Sequence, residues 1–358
     1  DIATVGAGGG SIAWVDDGGF LRAGPLSAGA DPGPASYMRG GTLPTITDAH
    51  LIRGTLQSDS FLGGSMPVDR QAAIESFRDL SNKINLSVEN LADSVIRIAE
   101  SNIVRAVQQV STERGHDPRD FTLVAYGGAG PLHAARIAED LEINRVIVPP
   151  NAGVLSAVGL LMSDYVHYRS KSEKVSLKQD SITKVISILF ELKRESETYL
   201  QSIGISTNLK SEPFLEMRYE GQAFEISVPL KEEINELTQE KLLLNFTEHH
   251  QRIFEFSKPT DNPVEIVSFR MGTRAHTDAF PNACNLEKIK KEIIPRPKIQ
   301  ITEGGMTINC QLMDRNNIGK SHLSGPLLIE DGTSTVYIPN GWGVEVDQEN
   351  SLIIEKGN

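Results

Sequence analysis

The residues of this chain best placed to do chemistry are glycines. Near its start runs Thr4-Val5-Gly6-Ala7-Gly8-Gly9-Gly10-Ser11-Ile12-Ala13-Trp14-Val15, a glycine turn between two apolar stretches. Without Cβ atoms, consecutive backbone N–H groups can converge on one point, and the Ser11 hydroxyl adds a further donor, which is a way to hold an anion. The spacing Gly8-x-Gly10-x-x-Ala13 also matches a dinucleotide fingerprint, but that motif opens a helix, whereas residues 12–15 read as a strand running into the turn Asp16-Asp17-Gly18-Gly19. A hairpin phosphate loop fits the pattern better, with a tight hairpin that binds nothing as the alternative.

A second cluster, Ala125-Tyr126-Gly127-Gly128-Ala129-Gly130-Pro131-Leu132-His133, follows a continuous apolar run and precedes a helical pattern over residues 132–141. A strand end that meets a helix start presents free N–H groups and the positive end of the helix dipole. Gly127, Gly128 and Gly130 would let a flat ring or a sugar lie on the backbone there. Close helix-to-strand packing is the other use of such glycines. His133 falls in the first turn of that helix, as a functional or a packing histidine.

Two carboxylates lie near the first turn. Asp31 sits in the loop over residues 27–41, which has neither helical nor strand period, and long irregular loops inside compact domains are usually functional. Read as a strand, residues 45–52 put Asp48 and His50 on one face, an acid/base or metal pair, with solvated loop and edge positions as the alternative. Ser11, Asp31 and Asp48 are therefore the candidate catalytic side chains. The identity of any metal stays open.

These residues need a frame. Ser87 caps a broad apolar stripe through Leu91, Val95 and Ile98, with Ala92, Ile96 and Ala99 beside it, which predicts a long buried helix. Residues 121–126 and 143–148 read as buried strands with a helix between them, an α/β layer, and residues 154–162 as a small-residue helix. After Asp164 the composition shifts: a charged helical stretch over 171–210, a strand pair over 214–230, an amphipathic helix over 240–254, and short strands and turns from 299 onward. Two domains are expected, residues 1–170 and 171–358.

The net charge of −12, from 47 acidic and 35 basic side chains, argues against a nucleic-acid partner. The two cysteines, Cys284 and Cys310, form neither a metal-spaced pair nor a disulfide framework, which fits a reducing cytoplasm. No apolar run approaches the roughly 20 residues of a membrane span, so no membrane partner is expected. The charged runs Lys231-Glu-Glu and Lys288-Ile-Lys-Lys-Glu read as solvated faces. The chain opens at Asp1 within a strand-like stretch and reads as a fragment.

A hairpin glycine loop and a strand-Gly-Gly-helix loop together resemble the second lobe of the actin, sugar-kinase and heat-shock-chaperone ATPase fold. Further motifs narrow the resemblance: Ser27-Ala-Gly-Ala-Asp-Pro-Gly-Pro-Ala35, Thr47-Asp-Ala49, Pro149-Pro-Asn-Ala-Gly-Val-Leu-Ser-Ala-Val-Gly159, Arg218-Tyr-Glu-Gly-Gln222 and Gly325-Pro-Leu-Leu-Ile-Glu330. With the two glycine clusters, they make the chain similar throughout to the hydantoinase A/5-oxoprolinase family. The resemblance implies an ATPase-like lobe followed by a strand-rich α+β domain. It implies ATP with Mg2+, held by Gly6, Gly8, Gly9, Gly10, Ser11, Gly127, Gly128, Gly130 and His133.

The implied reaction is ATP-dependent opening of a cyclic amide, 5-oxoproline or a hydantoin, through a phosphorylated intermediate. ATP-driven ketone carboxylation and a non-catalytic ATP-binding or scaffold lobe are the alternatives. Family members are about twice as long and carry an Asp-x-Gly-Gly-Thr phosphate loop in a front half that is missing here, so the implied partners are that lobe and a hydantoinase B-type subunit or domain, in an oligomer. Relatives often have His at the position of Ala3 and Cys at that of Ser36, so a soft-ligand metal site is less expected here. Gly6 stands where the chaperone-type loop has Asp, which leaves the hairpin without an assigned base.

Overall fold

The computed structural model describes every residue except 1, 207, 257, 260, 261, 277–295, 320 and 358; Cys284 and the charged run at 288–292 therefore lie outside the described residues. The chain forms two compact units, one of residues 1–159 with 282–358 and the other of residues 160–281.

The first unit opens with the antiparallel hairpin β1 (Ser11–Val15) and β2 (Leu21–Ser27), then helices α1 (Ile46–Arg53), α2 (Arg70–Ile84) and α3 (Val88–Val110). A β-α-β unit follows in β3 (Leu123–Val124), α4 (Gly130–Asp140) and β4 (Arg145–Val148), the strands parallel as expected, and then the short α5 (Leu155–Leu161). The second unit holds β5 (Tyr165–Ser176), α6 (Ile182–Ser202), β6 (Leu209–Tyr219), β7 (Ile226–Pro229), α7 (Gln239–Phe254) and β8 (Val264–Ala275). Its antiparallel sheet runs β5-β8-β6-β7, and α6 and α7 bury their apolar stripes with it in one core.

The chain then returns to the first unit in β9 (Lys298–Glu303), β10 (Met306–Asp314), β11 (Leu323–Ser324), β12 (Leu327–Asp331), β13 (Ser334–Ile338), β14 (Trp342–Val346) and β15 (Leu352–Lys356). These strands build a four-stranded sheet, β13-β12-β10-β9, and complete a five-stranded one, β11-β14-β15-β4-β3. The compact units therefore do not follow a division at 170/171. The reason is the antiparallel register of β15 on β4, Leu352 opposite Val148, which ties the last strands to the first unit.

Two expectations for local structure come out differently. Residues 165–176, partly inside the stretch read as helical, form strand β5. Residues 45–52 hold helix α1 rather than a strand. Thr45 and Asp48 form a capping box, with Asp48 N donating to Thr45 Oγ1 and Thr45 N donating back to Asp48, and Gly54 closes the helix in the left-handed conformation at φ 89°. The helix is then buried on all sides. Ile46, Leu51 and Phe77 of α1 and α2 pack with Leu91, Val95 and Ile96 of α3, each at most 1% exposed, and each such side chain contributes roughly 1.5–3 kcal/mol by leaving water. Among the described residues no helix is long and apolar enough to cross a membrane.

Candidate functional site

The two glycine clusters meet. Gly9 and Gly10 of the first and Gly128 and Ala129 of the second line one cavity of about 310 Å3 in the first unit, together with Thr47 and His50 of α1 and the tip of the β12–β13 hairpin.

The first cluster is turned so that its carbonyls serve the protein. Gly8 O accepts from Ser11 N at 2.9 Å, Gly9 O from Thr47 N at 2.8 Å and Gly10 O from Ala28 N at 2.8 Å; Thr47 Oγ1 also donates to Gly9 O, at 3.0 Å. The N–H groups of Gly8, Gly9 and Gly10 make no hydrogen bond to protein among the described residues. Such a run of free N–H groups is an anion-binding arrangement. Close packing requires glycine at position 6, where a Cβ would stand 2.7 Å from Pro25 Cα, and a Cβ on Gly9 or Gly10 would crowd a hydroxyl, Thr47 Oγ1 at 2.6 Å or Ser27 Oγ at 2.9 Å.

The second cluster brings a helix N-terminus to the same cavity. No side chain caps α4, whose N-cap is Ala129, and the N–H groups of Gly128, Ala129 and Gly130 have no protein acceptor among the described residues. Gly127, at φ 87°, anchors the turn by donating to Ala152 O at 2.8 Å. An uncapped helix start adds partial positive charge where it opens.

Three predicted side chains do not reach the cavity. Ser11 is 3% exposed, and its Cβ lies 3.7 Å from where a Cβ of Gly24 would stand, so it faces the interior of the hairpin. Asp31 is exposed on its loop. Asp48 is wholly buried, and its two oxygens accept from Ala35 N, Ser36 N, Thr45 N and Thr45 Oγ1 at 2.8–3.2 Å, which makes it the clasp between the loop and α1 rather than an acid or base. In a helix, residues two apart point roughly 200° away from each other, so the expected Asp48 and His50 pair does not form. Ser11→Ala is accordingly expected to leave turnover within about twofold and stability within about 0.5–1 kcal/mol; steady-state kinetics beside a thermal melt check this.

His50 points instead to His133, Nε2 to Nε2 at 3.3 Å, while its Nδ1 lies 2.8 Å from Thr55 Oγ1. His133 Nδ1 stands 3.3 Å from Glu100 Oε1, and Arg97 holds the other carboxylate oxygen at 2.8 Å. A carboxylate only accepts, so Nδ1 of His133 carries the proton facing Glu100. Thr55, His50, His133 and Glu100 thus stand in one hydrogen-bonded line. His133 thus lies behind the cavity wall, and His50 forms part of that wall.

Burial holds the His50 pKa well below its ordinary 6.5, with the neighbouring His133 and Arg53 acting in the same sense. The unfolded chain therefore binds a proton below about pH 6.5 that the folded chain refuses, and stability falls as pH drops through that window. This group contributes at most about 1.4 kcal/mol per pH unit. Thermal melts between pH 7 and 5 are expected to show that slope, and His50→Gln to reduce it.

The chemistry of the donors suits an anion with a polar, uncharged extension. Among the described residues no group of three or more His, Cys, Asp or Glu is placed to hold a metal.

The pattern reading missed the helix that carries Thr47 and His50, although Thr45-x-x-Asp48 ahead of an apolar run is a capping-box signature. It also passed over Glu100, which follows Ile96 by four residues on the buried face of α3; a carboxylate there demands a partner. The hairpin side chains Asp331, Thr333 and Ser334 have no such signal, since nothing local in the sequence says which turn of the last strands meets the glycines.

Residues 1–169 match the hydantoinase/oxoprolinase family. The chain is 32% identical to caprolactamase subunit alpha of Pseudomonas jessenii over 372 residues, 100% of this chain and 53% of that protein. It is 34% identical to 5-oxoprolinase of Saccharomyces cerevisiae over 95% of this chain and 28% of that one. It thus spans about half the length of the curated relatives it matches first. Among solved structures, the crystal structure of the ATP-dependent caprolactamase from Pseudomonas jessenii superposes with a TM-score of 0.68 over 100% of this chain and 53% of that chain. Nucleotide-free acetone carboxylase shares the fold, with a TM-score of 0.80 at 23% identity over 98% of this chain and 52% of the other.

Proposed function

From the premise that this chain belongs to the hydantoinase/oxoprolinase family, we propose that its first unit forms the nucleotide-facing side of an enzyme that uses ATP to open a cyclic amide. The observation that carries this reading is the convergence of Gly9, Gly10, Gly128 and Ala129, with their unused N–H groups, on one cavity. The same convergence supports the second lobe of an actin-like ATPase as the architecture of this unit, in which a strand–glycine–helix loop and the glycine turn that leads into β1 would together hold a nucleotide.

ATP, when bound, would supply a phosphoryl group to the amide oxygen, which activates the carbonyl carbon toward water so that the ring C–N bond breaks, the nitrogen leaves as the free amine and the phosphoryl group is released as phosphate. The residues of this chain then have two tasks. The N–H groups of Gly8, Gly9 and Gly10 stabilise negative charge on phosphoryl oxygens, and they do so without rearrangement because Thr47 fixes the Gly9 peptide from behind. The α4 N-terminus places partial positive charge at the other end of the cavity. A front lobe and a hydantoinase B-type partner are part of this proposal; caprolactamase subunit alpha and the gamma subunit of acetophenone carboxylase are, by name, subunits of larger enzymes.

The test is ADP release by the intact protein with its B-type partner against 5-oxoproline, hydantoin, caprolactam, and a ketone with bicarbonate. Release dependent on a cyclic amide supports the reading. Release with ketones alone moves the protein to carboxylation, and release with no substrate dependence overturns ring opening. The 358-residue chain by itself is expected to show no substrate-dependent hydrolysis.

A further inference from the structure

Strands β12 and β13 are joined by the two-residue turn Gly332-Thr333, and Asp331, Thr333, Ser334 and Thr335 all line the cavity. Ser334 is 6% exposed, yet its Oγ has no hydrogen-bond partner among the described residues, and the buried Oγ1 of Thr333 has none either. A buried hydroxyl left unpaired costs about 1–3 kcal/mol. Two adjacent ones in a cavity wall point to a ligand that pairs them.

The turn is held in place from behind. Gly153 packs against it so closely that a Cβ would stand 2.1 Å from Thr333 O, and the nearest atom to a Cβ on Gly128 would be the same oxygen, at 3.9 Å. Asp331 accepts from Gly332 N at 2.9 Å and lies 3.3 Å from Arg315 Nη1, while Arg315 Nη2 donates to Val148 O at 2.9 Å and Asn350 O at 2.7 Å. The carboxylate is thus oriented, with acceptor capacity to spare.

A carboxylate beside two free hydroxyls suits neighbouring alcohol groups, which donate to Asp331 and accept from Ser334 and Thr333. It does not suit a phosphate, whose charge Asp331 repels; the anionic end belongs with the N–H groups of Gly8, Gly9 and Gly10. We propose that Asp331, Thr333 and Ser334 bind the sugar hydroxyls of the nucleotide, so that the last strands of the chain recognise its nucleoside part. This rests on the nucleotide reading above.

Calorimetric titration of the intact protein with ATP, 2′-deoxy-ATP, 3′-deoxy-ATP and inorganic tripolyphosphate tests it, on the parent, Ser334→Ala and Thr333→Val, each checked by a thermal melt. The parent should prefer ATP to at least one deoxy analogue by about tenfold, the worth of one hydrogen bond of ordinary strength. Ser334→Ala or Thr333→Val should weaken ATP by a similar factor, bring the preference to within about twofold, and leave tripolyphosphate unchanged.

If the parent binds ATP but both variants keep its affinity and its preference, the sugar assignment fails while the nucleotide reading stands. If the parent binds neither ATP nor tripolyphosphate, both fail. A change confined to the KM of a cyclic amide assigns the hydroxyls to that substrate and overturns the proposal.

Discussion

Asp48→Ala is expected to destabilise the first unit by about 3–5 kcal/mol, because one change strands four donors in the interior. Ala35 N, Ser36 N, Thr45 N and Thr45 Oγ1 all give their hydrogens to this carboxylate, which is 0% exposed. Water cannot replace it without opening the loop from α1. The helix also loses half of its capping box, and Thr47, two residues from the cap, no longer holds Gly9 in register. A thermal melt should show Tm lower by about 10 °C, as expected for a loss of this size in a unit of this length. Asp48→Asn should recover only part of the loss, since its amide nitrogen sets a donor against donors. A variant with an unchanged melt but abolished turnover would reverse the assignment and make Asp48 a catalytic residue.

Gly128→Val is expected to do the opposite, removing nucleotide binding while the fold stays intact. Gly128 does not need its glycine for the backbone: its φ is outside the left-handed region, and the nearest atom to an added Cβ is Thr333 O at 3.9 Å. The branched side chain would instead stand in the cavity beside the free N–H groups of α4. ATP affinity should fall at least about a hundredfold, which is about 2.7 kcal/mol, with Tm within about 2 °C of the parent. Gly153→Ala is the contrast, because its Cβ would meet the Thr333 carbonyl and the sheet would have to move. Calorimetry showing parent-like ATP affinity in a folded Gly128→Val protein would remove the second glycine cluster from the site.

By itself the sequence determined the parts whose signals are local. The β1–β2 hairpin follows from the apolar run over residues 12–15 ahead of the turn Asp16-Asp17-Gly18-Gly19, α3 from a cap and a helical stripe, the parallel β3-α4-β4 unit from apolar runs around Gly127 and Gly128, and α7 and the β6–β7 pair from their periodicities. Those signals are properties of a few neighbouring residues, so they can be read without knowing what lies opposite. The glycine run over residues 6–10, expected as the hairpin turn, instead precedes β1 with no strand before it among the described residues. The run over residues 121–126, expected as a buried strand, is a two-residue strand with Phe121, Val124 and Tyr126 exposed.

Tertiary structure decided the rest. An eight-residue helix buried on every side has no polar face, so α1 carries no amphipathic period and resembles a strand until its cap is noticed. The carboxylate that looked catalytic became a clasp because the loop at Ala35 and Ser36 folds onto it. The histidine of the second cluster became a partner of His50, because α1, α3 and α4 bring Glu100, His133 and His50 into line. The return of the last strands to the first unit, which sets Ser334 beside the glycines, depends on hydrogen bonds between β15 and β4 across some two hundred residues. Pairing of that kind leaves no mark on either strand alone.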